Sequence, residues 1–540
     1  MKTARVVART LKERGVKRVF GVPGGEVTDL MEGFRNEGIE FVLTRHEAAA
    51  AFMASATGTL TGIPGVCMAT LGPGATNMVT GVAQAYLDRA PLIAFTGQLP
   101  RWRTPRDTHQ VLDLQTLYAP ITKWRFSLES KGCAAAIAKA VDVATAERPG
   151  PVYVEVPSDA GAKECEDGEP LPAGPGPARH LALECGQESI REAASLLAAS
   201  KRPMLLAGLS ASRAGATQEL VALSEHAGVP VIVTPQGKSV FPEDHGRFVG
   251  VLEMLGTAYL FRLVASADFL VTVGLDPVEL MGTWPDKPGI YVDSVPNLDR
   301  YFTASVELVG SIRHVLSSLV EVLNRLRFTP KWELAEIAAM RRHLDEIIPA
   351  ATRPGARSQG MYPKELFRAL NKVLPRDSIV SCDVGAHKFA TGQLWRPGVP
   401  GSFLITNGLS SMGYGLPSAI AAKLIFPDRT AVAVLGDGGL AMYAGEMDTA
   451  RRLGTPVIIV VCVDNALSLI KMNQARKGYP PYGSEFTNPD WTLVAAGMGL
   501  GAASAETEQG MEDALQEALK SGKPYLIRAM VDPKGYEVAE

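Results

Sequence analysis

The chain has 540 residues, of which 46% are apolar and 21% charged, and its formal net charge is −3. This composition is ordinary for a globular protein, and a near-neutral chain without a long Lys/Arg block argues against a nucleic-acid partner. No uninterrupted apolar run approaches the roughly 18–20 residues that span a bilayer, so no membrane segment is predicted. At about 100–200 residues per domain, the length predicts about three domains.

The spacing of the six cysteines indicates the redox state of the cellular compartment in which the protein is expected to work. No two have the C-x-x-C spacing of a zinc site, and their positions suggest no disulfide framework. Free thiols of this kind fit a reducing compartment, and we therefore predict a cytoplasmic protein. The cysteines are Cys67, Cys133, Cys165, Cys185, Cys382 and Cys462.

Short apolar runs alternate with helical stretches in the first third of the chain. The segment MKTARVVARTLKERG carries a helical apolar stripe, and we interpret it as the first helix rather than a transit peptide. Strand–helix alternation argues for a parallel sheet covered by helices, so residues 1–165 are predicted to form one α/β domain. The predicted strands are VKRVFGV, IEFVLTRH, GVCMAT, PLIAFTG and PVYVEVP.

The same alternation occurs twice more along the chain. A segment rich in Pro, Gly and charge follows the first domain and is predicted to be a linker. Residues 188–330 and 360–540 are each predicted to form a further α/β domain, with a second linker between them. The expected architecture is therefore three doubly wound parallel-sheet domains in series.

Two polar residues follow predicted buried strands in the last domain. Asp437 comes after TAVAVLG, and Asn465 follows PVIIVVCVD one strand–helix–strand unit later. Ligands of open α/β sheets bind at the carboxyl ends of the strands, and Mg²⁺ prefers a few protein oxygens together with phosphate oxygens and water. A lone Gly-Asp-Gly also fits a simple strand-ending turn, but the pair predicts a metal-held diphosphate.

Asp437-Gly438-Gly439 with the later Asn465 resembles the thiamine diphosphate motif of pyruvate decarboxylases, pyruvate oxidases and acetolactate synthases. The resemblance covers nearly the whole chain. It implies that Asp437, Asn465 and the carbonyl of Leu467 hold Mg²⁺. It also implies that the cofactor's diphosphate side is bound by Gly385, Ala386, His387, Gly436, Gly438, Gly439, Ser468, Leu469 and Ile470.

Glu47 lies where a predicted strand runs into an Ala-rich helix. By itself it would be a helix-capping acid. However, TRHE and the later ATLGPGATN resemble the segments of the same family that bind the aminopyrimidine. The resemblance implies that Glu47 hydrogen-bonds this ring and activates the cofactor, and that Met412, otherwise ordinary core filler, lies beneath the bent cofactor. Further implied contacts are Pro23, Gly24, Thr70, Pro73, Gly74, Asn77 and Leu409.

Three further residues bear on the reaction. His109 and Gln110 lie in a polar loop that resembles acetolactate synthases, which implies contact with the reacting intermediate. Lys471 stands where pyruvate decarboxylases carry a glutamate; we hypothesise that it attracts a substrate carboxylate, the alternative being a solvent-facing helix lysine. Residues 253–256 and 276–279 depart from the flavin-binding segments of the biosynthetic branch, so FAD is predicted to be absent.

The leading interpretation is a thiamine diphosphate- and Mg²⁺-dependent carboligase of the acetolactate synthase type. It would act on small 2-oxo acids or aldehydes. The family implies a homodimer or homotetramer in which Glu47 and the metal site come from different chains. On the same scaffold, the alternatives are a 2-oxo-acid decarboxylase, a sulfoacetaldehyde acetyltransferase and an aldehyde lyase. An alternative of another class is a non-catalytic nucleotide- or flavin-binding protein.

Overall fold

The computed structural model describes residues 1–103, 109–165, 185–298, 301–326, 329, 331–350 and 360–538. Three six-stranded parallel sheets with flanking helices follow one another along the chain, which confirms the predicted fold class. Many of the strands are buried along their whole length, as expected when helices cover both faces of a parallel sheet. None of the described helices is long and apolar enough to cross a membrane.

The first sheet has the strand order β2-β1-β3-β4-β6-β5. The predicted first helix is confirmed as α1, whose buried stripe includes Val6, Val7 and Leu11. The strands are β1 (Arg18–Val22), β2 (Glu40–Leu43), β3 (Gly65–Ala69), β4 (Leu92–Gln98), β5 (Trp124–Ser127) and β6 (Pro151–Pro157). The helices are α1 (Thr3–Glu13), α2 (Thr28–Glu37), α3 (Glu47–Thr61), α4 (Pro73–Leu87), α5 (Leu114–Tyr118), α6 (Cys133–Thr145) and α7 (Ser158–Ala162).

The second sheet has the order β12-β11-β10-β7-β8-β9. Its strands are β7 (Pro203–Ala207), β8 (Val231–Val233), β9 (Phe248–Val251), β10 (Phe269–Val273), β11 (Gly289–Asp293) and β12 (Val306–Val309). The associated helices are α8 (Gln187–Ala199), α9 (Leu209–Arg213), α10 (Thr217–Ala227), α11 (Thr257–Ser266), α12 (Ile312–Arg325) and α13 (Leu334–Ile347).

The third sheet has the order β14-β13-β15-β16-β18-β17. Its strands are β13 (Ile379–Cys382), β14 (Phe403–Ile405), β15 (Ala431–Gly436), β16 (Val457–Val463), β17 (Gly501–Ala505) and β18 (Tyr525–Met530). The helices are α14 (Pro363–Val373), α15 (Ala386–Leu394), α16 (Gly415–Ile425), α17 (Asp437–Tyr443), α18 (Glu446–Leu453), α19 (Ser468–Arg476), α20 (Trp491–Gly497) and α21 (Glu508–Ser521).

Packing groups the chain into two compact units. Unit 1 comprises Met1–His180, Gly408–Asp428 and Ala441–Val457, and it contains the first sheet with α16 and α18. Unit 2 comprises Leu181–Asn407, Arg429–Leu440 and Ile458–Glu540, and it contains the second sheet and nearly all of the third. The segment with Leu409 and Met412 therefore belongs to unit 1, although it follows the third-sheet strand β14 along the chain.

Helices in unit 1 pack closely because their contact faces carry small side chains. Helix α3 is buried along most of its length, with Ala48, Ala49, Ala50 and Ala51 almost fully covered. A Cβ placed on Gly81 of α4 would lie 2.4 Å from the Cβ of Ala51, so glycine is required there. This packing fixes the start of α3, where Glu47 lies.

Candidate active site

Two strand ends meet in unit 2 at the predicted metal site. Asp437 begins α17 directly after β15, and Asn465 follows β16 with a positive φ of 59°. Oδ2 of Asp437 accepts hydrogen bonds from the backbone amides of Asn465 at 2.9 Å and Asp464 at 3.3 Å. The carboxylate and the amide residue therefore lie side by side at the carboxyl edge of the sheet, as the sequence predicted.

A third polar residue, Asn488, completes this cluster and was missed by the sequence analysis. Its Nδ2 donates to Oδ2 of Asp437 at 2.7 Å and to Oδ1 of Asn465 at 2.8 Å. It precedes α20 and is far from both partners along the chain. The only signal in the sequence was an Asn-Pro dipeptide, which ordinarily marks a turn.

The site offers few protein ligands. Among the described residues, no group of three or more His, Cys, Asp or Glu side chains gathers as a metal site. One carboxylate, one amide oxygen and one carbonyl suit Mg²⁺ only when phosphate oxygens or waters complete its shell. The predicted third ligand, the Leu467 carbonyl, also accepts the backbone amides of Ile470 at 2.8 Å and Lys471 at 3.0 Å in the first turn of α19.

Burial governs the ionisation of the neighbouring acids. Asp437 is 2% exposed, and burial raises its pKa, while hydrogen bonds from Asn488 and backbone amides oppose the rise. Burial likewise raises the pKa of Asp464 to about 6. Its carboxylate accepts the hydroxyl of Ser468, a predicted cofactor residue, at 2.6 Å, and so holds the start of α19.

Two of the predicted diphosphate residues, Gly385 and Gly436, lie beside the buried imidazole of His387. A Cβ on Gly385 would lie 2.9 Å from the His387 ring, and one on Gly436 would lie 3.1 Å from it. Burial lowers the pKa of His387 to about 3, so the ring is neutral, and its buried Nε2 has no hydrogen-bond partner among the described residues. Bare glycine backbone beside an unpartnered polar nitrogen fits a diphosphate-bearing ligand.

Other predicted contacts of the diphosphate side lie on the adjoining turns. Ala386 begins α15, and the Gly438 amide donates to Oδ1 of Asp437 at 2.8 Å. Gly439 is buried in α17. Leu469 is partly buried against the core, whereas the side chain of Ile470 is 48% exposed.

Glu47 is the first residue of α3 in unit 1 and is 8% exposed. Nδ2 of Asn77, on α4, donates to Oε2 of Glu47 at 3.0 Å. A Cβ on Gly74 would lie 3.3 Å from Oε1 of Glu47, so the missing side chain leaves that oxygen approachable. Two predicted pyrimidine-side residues, Asn77 and Gly74, therefore lie beside the Glu47 carboxylate.

Glu446, in the same unit, positions this carboxylate and was not anticipated. Its Oε1 accepts the backbone amides of Arg45 at 2.9 Å and His46 at 3.1 Å, immediately before Glu47. Arg45 also pairs with Asp448, next to Glu446 on α18. Burial raises the pKa of Glu446. The strand–helix junction is thus anchored by a segment some four hundred positions away.

A second group of predicted residues lies at the neighbouring turns of unit 1. A Cβ on Gly24 would lie 2.2 Å from Oγ1 of Thr70, so the backbone after Pro23 requires glycine. The Thr70 hydroxyl donates to Oε2 of Glu26 at 2.8 Å, which adds another carboxylate to this edge of the sheet. Pro73 begins α4 and is exposed.

Gln110 lies against this loop. It has a positive φ of 60°, and a Cβ on Gly72 would lie 2.8 Å from its Cβ. The side chains of His109 and Gln110 are exposed. Residues 104–108 lie outside the described residues, so only the end of the predicted polar loop is described.

The segment with Met412 packs within unit 1. The Gly408 amide donates to Oδ1 of Asp88 at 2.8 Å, and a Cβ on Gly413 would lie 2.0 Å from the Tyr443 ring. Met412 is partly exposed between these two anchors, and Leu409 is 39% exposed. Neither side chain is fully buried in the core, so a ligand can reach both.

Lys471, on α19, has an acidic neighbour that the sequence did not reveal. Its Nζ lies 2.6 Å from Oε1 of Glu485, and the two side chains are 42% and 57% exposed. The chain returns beside α19 because the Leu467 amide donates to the Ser484 carbonyl at 2.8 Å. Lys471 is thus neither a free surface charge nor a buried one.

The middle sheet holds a buried acid where a nucleotide-binding turn would lie. Oε2 of Glu279 accepts the amide of Leu209, at the start of α9, at 3.0 Å, and the Thr234 hydroxyl donates to its other oxygen. A Cβ on Gly208 would lie 2.7 Å from that Oε2. Burial raises the pKa of Glu279 to about 7.

Three α/β domains in series, each built on a six-stranded parallel sheet, define the class of fold to which the chain belongs. Comparison with known families agrees. The N-terminal binding-domain model of thiamine pyrophosphate enzymes matches residues 1–117, the central-domain model residues 190–319 and the C-terminal binding-domain model residues 383–529.

Whole-chain relatives narrow the class. The chain is 32% identical to a probable acetolactate synthase large subunit of Methanocaldococcus jannaschii, over 99% of this chain and 92% of that protein. It is 31% identical to the acetolactate synthase isozyme 2 large subunit of Escherichia coli, over 98% and 96%. It is 30% identical to a catabolic acetolactate synthase of Raoultella terrigena, over 98% and 95%. The chain therefore belongs to the thiamine pyrophosphate-dependent enzymes of the acetolactate synthase type.

Proposed function

We propose that the protein is a Mg²⁺-dependent carboligase that decarboxylates a 2-oxo acid, pyruvate first among them, and transfers the two-carbon unit to a second carbonyl. The observation that supports this most is the pairing of Asp437 with Asn465 at the ends of β15 and β16. When bound, thiamine diphosphate supplies a carbon that adds to the 2-oxo acid and stabilises the carbanion left by loss of CO₂. A cytoplasmic location stays a prediction from the sequence.

In unit 2, the chain's task is to hold the cation and the diphosphate. Asp437 supplies the charge, and Asn465 and the Leu467 carbonyl supply neutral oxygens. The glycines at 385, 436, 438 and 439 let the phosphate approach the backbone, and Ala386, His387, Ser468, Leu469 and Ile470 border it. These are electrostatic and positioning roles, which depend on a rigid arrangement of dipoles.

In unit 1, Glu47 is the proton-handling residue. Its carboxylate is oriented by Asn77 and by the junction that Glu446 holds. Pro23, Gly24, Thr70, Pro73 and Gly74 would border the aminopyrimidine, with Leu409 and Met412 beneath the bent cofactor, and His109 and Gln110 would contact the reacting groups. We further propose a homodimer or homotetramer in which the two clusters of one site come from different copies.

The middle domain is proposed to work without FAD. The diphosphate of a dinucleotide ordinarily binds at the amino end of the helix that follows the first strand. Here Glu279 already accepts the Leu209 amide at that turn, and its oxygen fills the space beside Gly208. A second acid, Glu253, accepts the amides of Met281 at 2.9 Å and Gly282 at 2.8 Å. The internal carboxyl group of Glu279 thus takes the place of an anionic ligand at the Leu209 turn.

The activity is tested on protein stripped of cofactor and metal. Adding thiamine diphosphate, Mg²⁺ and pyruvate should release CO₂ and form acetolactate, assayed as acetoin after acid treatment. Omitting Mg²⁺ should abolish both products, and adding FAD should change neither rate. CO₂ with acetaldehyde would instead indicate a decarboxylase, and absence of turnover with pyruvate would contradict the proposed donor. Light scattering on the same samples gives the oligomeric state.

If Lys471 attracts a substrate carboxylate, substitutions of Lys471 and Glu485 should change the KM for pyruvate in opposite directions. Lys471→Ala should raise the KM for pyruvate up to about fivefold, because a half-exposed ion contact is worth at most about 1 kcal/mol. Glu485→Gln should lower that KM, because it removes the carboxylate that competes for the ammonium group. Steady-state kinetics measure both. Lys477→Ala, just beyond the same helix, is the matched control, and an unchanged KM in both test variants would leave Lys471 as a surface residue.

A further inference from the structure

Asn488 occupies a position that only the tertiary structure creates. It lies between α19 and α20, and both hydrogens of its amide have acceptors: Oδ2 of Asp437 at 2.7 Å and Oδ1 of Asn465 at 2.8 Å. Its own Oδ1 accepts Nε1 of Trp491 at 3.1 Å. Because Trp491 is only 3% exposed, the Asn488 side chain is held from behind by a buried group.

The hydrogen bonds leave a free lone pair on the Oδ1 atoms of Asn465 and Asp437, through which each could bind a cation. An amide or carboxylate oxygen accepts through two lone pairs. Oδ1 of Asn465 receives one N–H from Asn488, and Oδ1 of Asp437 receives one from Gly438 at 2.8 Å. Most donors to Asp437, including Asn488, converge instead on Oδ2. Asn488 therefore orients both side chains without using up the oxygens that face a cation.

The same segment closes a loop around the predicted ligands. The Phe486 amide donates to the Asn465 carbonyl at 3.1 Å, and the Leu467 amide donates to the Ser484 carbonyl at 2.8 Å. Helix α19 lies inside this loop, and Asn488 follows the isolated antiparallel bridge between Ala466 and Glu485 that closes it. The Asn488 contacts thus tie the return of the chain to the side chains of Asp437 and Asn465.

We propose that Asn488 is a positioning residue for the cation that holds the cofactor's diphosphate. It fixes the carboxylate of Asp437 and the amide of Asn465 in advance, so that metal binding does not have to order them. This inference rests on the proposed metal site. Partners that orient metal ligands in this way typically change metal affinity by about 10–100-fold when removed.

The test is a Mg²⁺ titration of the full-length protein in saturating thiamine diphosphate, followed by calorimetry and by the thermal midpoint. Asn488→Ala should weaken Mg²⁺ binding by roughly 10–100-fold. At saturating Mg²⁺, its KM for pyruvate should equal that of the unaltered protein. Trp491→Phe, which keeps the buried ring but removes the donor to Asn488, should give a smaller loss of the same kind. Asn473→Ala, an exposed asparagine on α19, is the control.

Different results would contradict the positioning role of Asn488 and the proposed metal site. Mg²⁺ affinity within twofold of the unaltered protein in both Asn488→Ala and Trp491→Phe would overturn the positioning role, and so would a raised KM at saturating Mg²⁺ with unchanged metal affinity. If Asn488→Ala fails to fold, as judged by circular dichroism without metal, Trp491→Phe decides alone. If Asp437→Ala binds Mg²⁺ as tightly as the unaltered protein, the proposed metal site itself is wrong.

Discussion

Asp437→Ala is expected to abolish cofactor-dependent turnover. The substitution removes the only charged ligand of the proposed cation, and the remaining amide and carbonyl oxygens are neutral. We expect the affinity for Mg²⁺ with thiamine diphosphate to fall by at least about a hundredfold, equivalent to about 2.7 kcal/mol. Titration of the cofactor at fixed Mg²⁺ measures this loss, and product formation should be undetectable at cofactor concentrations that saturate the unaltered protein.

The same substitution also has a structural cost. The Asp437 carboxylate accepts hydrogen bonds from Gly438, Asn465 and Asn488, and its loss leaves these donors without their acceptor. These contacts are only partly buried, so each donor left unpaired costs at most about 1–3 kcal/mol, and the thermal midpoint of the metal-free protein should fall as well. Asp513→Ala, at an exposed acid on α21, is the control. Cofactor affinity in Asp437→Ala equal to that of this control would rule out Asp437 as a metal ligand.

Glu47→Gln is expected to lower kcat while leaving cofactor affinity nearly unchanged. Glutamine keeps the size of the side chain and can still accept the hydrogen bond from Asn77, but it cannot exchange a proton. A positioned acid or base contributes roughly a hundredfold to ten-thousandfold to the rate, so a drop of that order is expected. Rapid-mixing measurement of the rate and a separate cofactor titration distinguish the two effects.

Two comparisons sharpen the Glu47 prediction. Glu13→Gln, at an exposed acid on α1, should behave as the unaltered protein. Asn77→Ala removes the donor to Oε2 but keeps the carboxylate, and should give an intermediate loss of kcat. If Glu47→Gln retained more than about a tenth of the rate, the proton-handling role would be untenable. If only cofactor affinity changed, Glu47 would be a binding residue alone.

The fold was predictable because its signals are local and repeated. Buried parallel strands appear in a sequence as short apolar runs, and the helices between them show apolar residues spaced at the helical period. The pairing of Asp437 with Asn465 was predictable for the same reason, since adjacent parallel strands end at the same edge of a sheet. Glu47 was found through its motif rather than its chemistry, because an acid at a helix start is common.

The contacts that position these groups were not predictable. Glu446 reaches the junction before Glu47 from a segment that packs into unit 1, and nothing in its local sequence distinguishes it from other helix-start acids. The pairing of Lys471 with Glu485 depends on the return path of the chain after α19. Glu279 was named only as a departure from a flavin pattern, and its buried contact with Leu209 supplies a physical reason for that departure.

The sequence by itself determined the class of fold and the family, and it named the candidate ligands, because strand ends, glycine turns and motif spacing are properties of short segments. Only the tertiary structure decided which side chains hold those ligands in place. A hydrogen bond depends on distances of a few tenths of an ångström between atoms, and for residues far apart in the chain that distance is set by the packing of whole elements. Asn488, which joins Asp437 to Asn465, is the plainest case of such a residue.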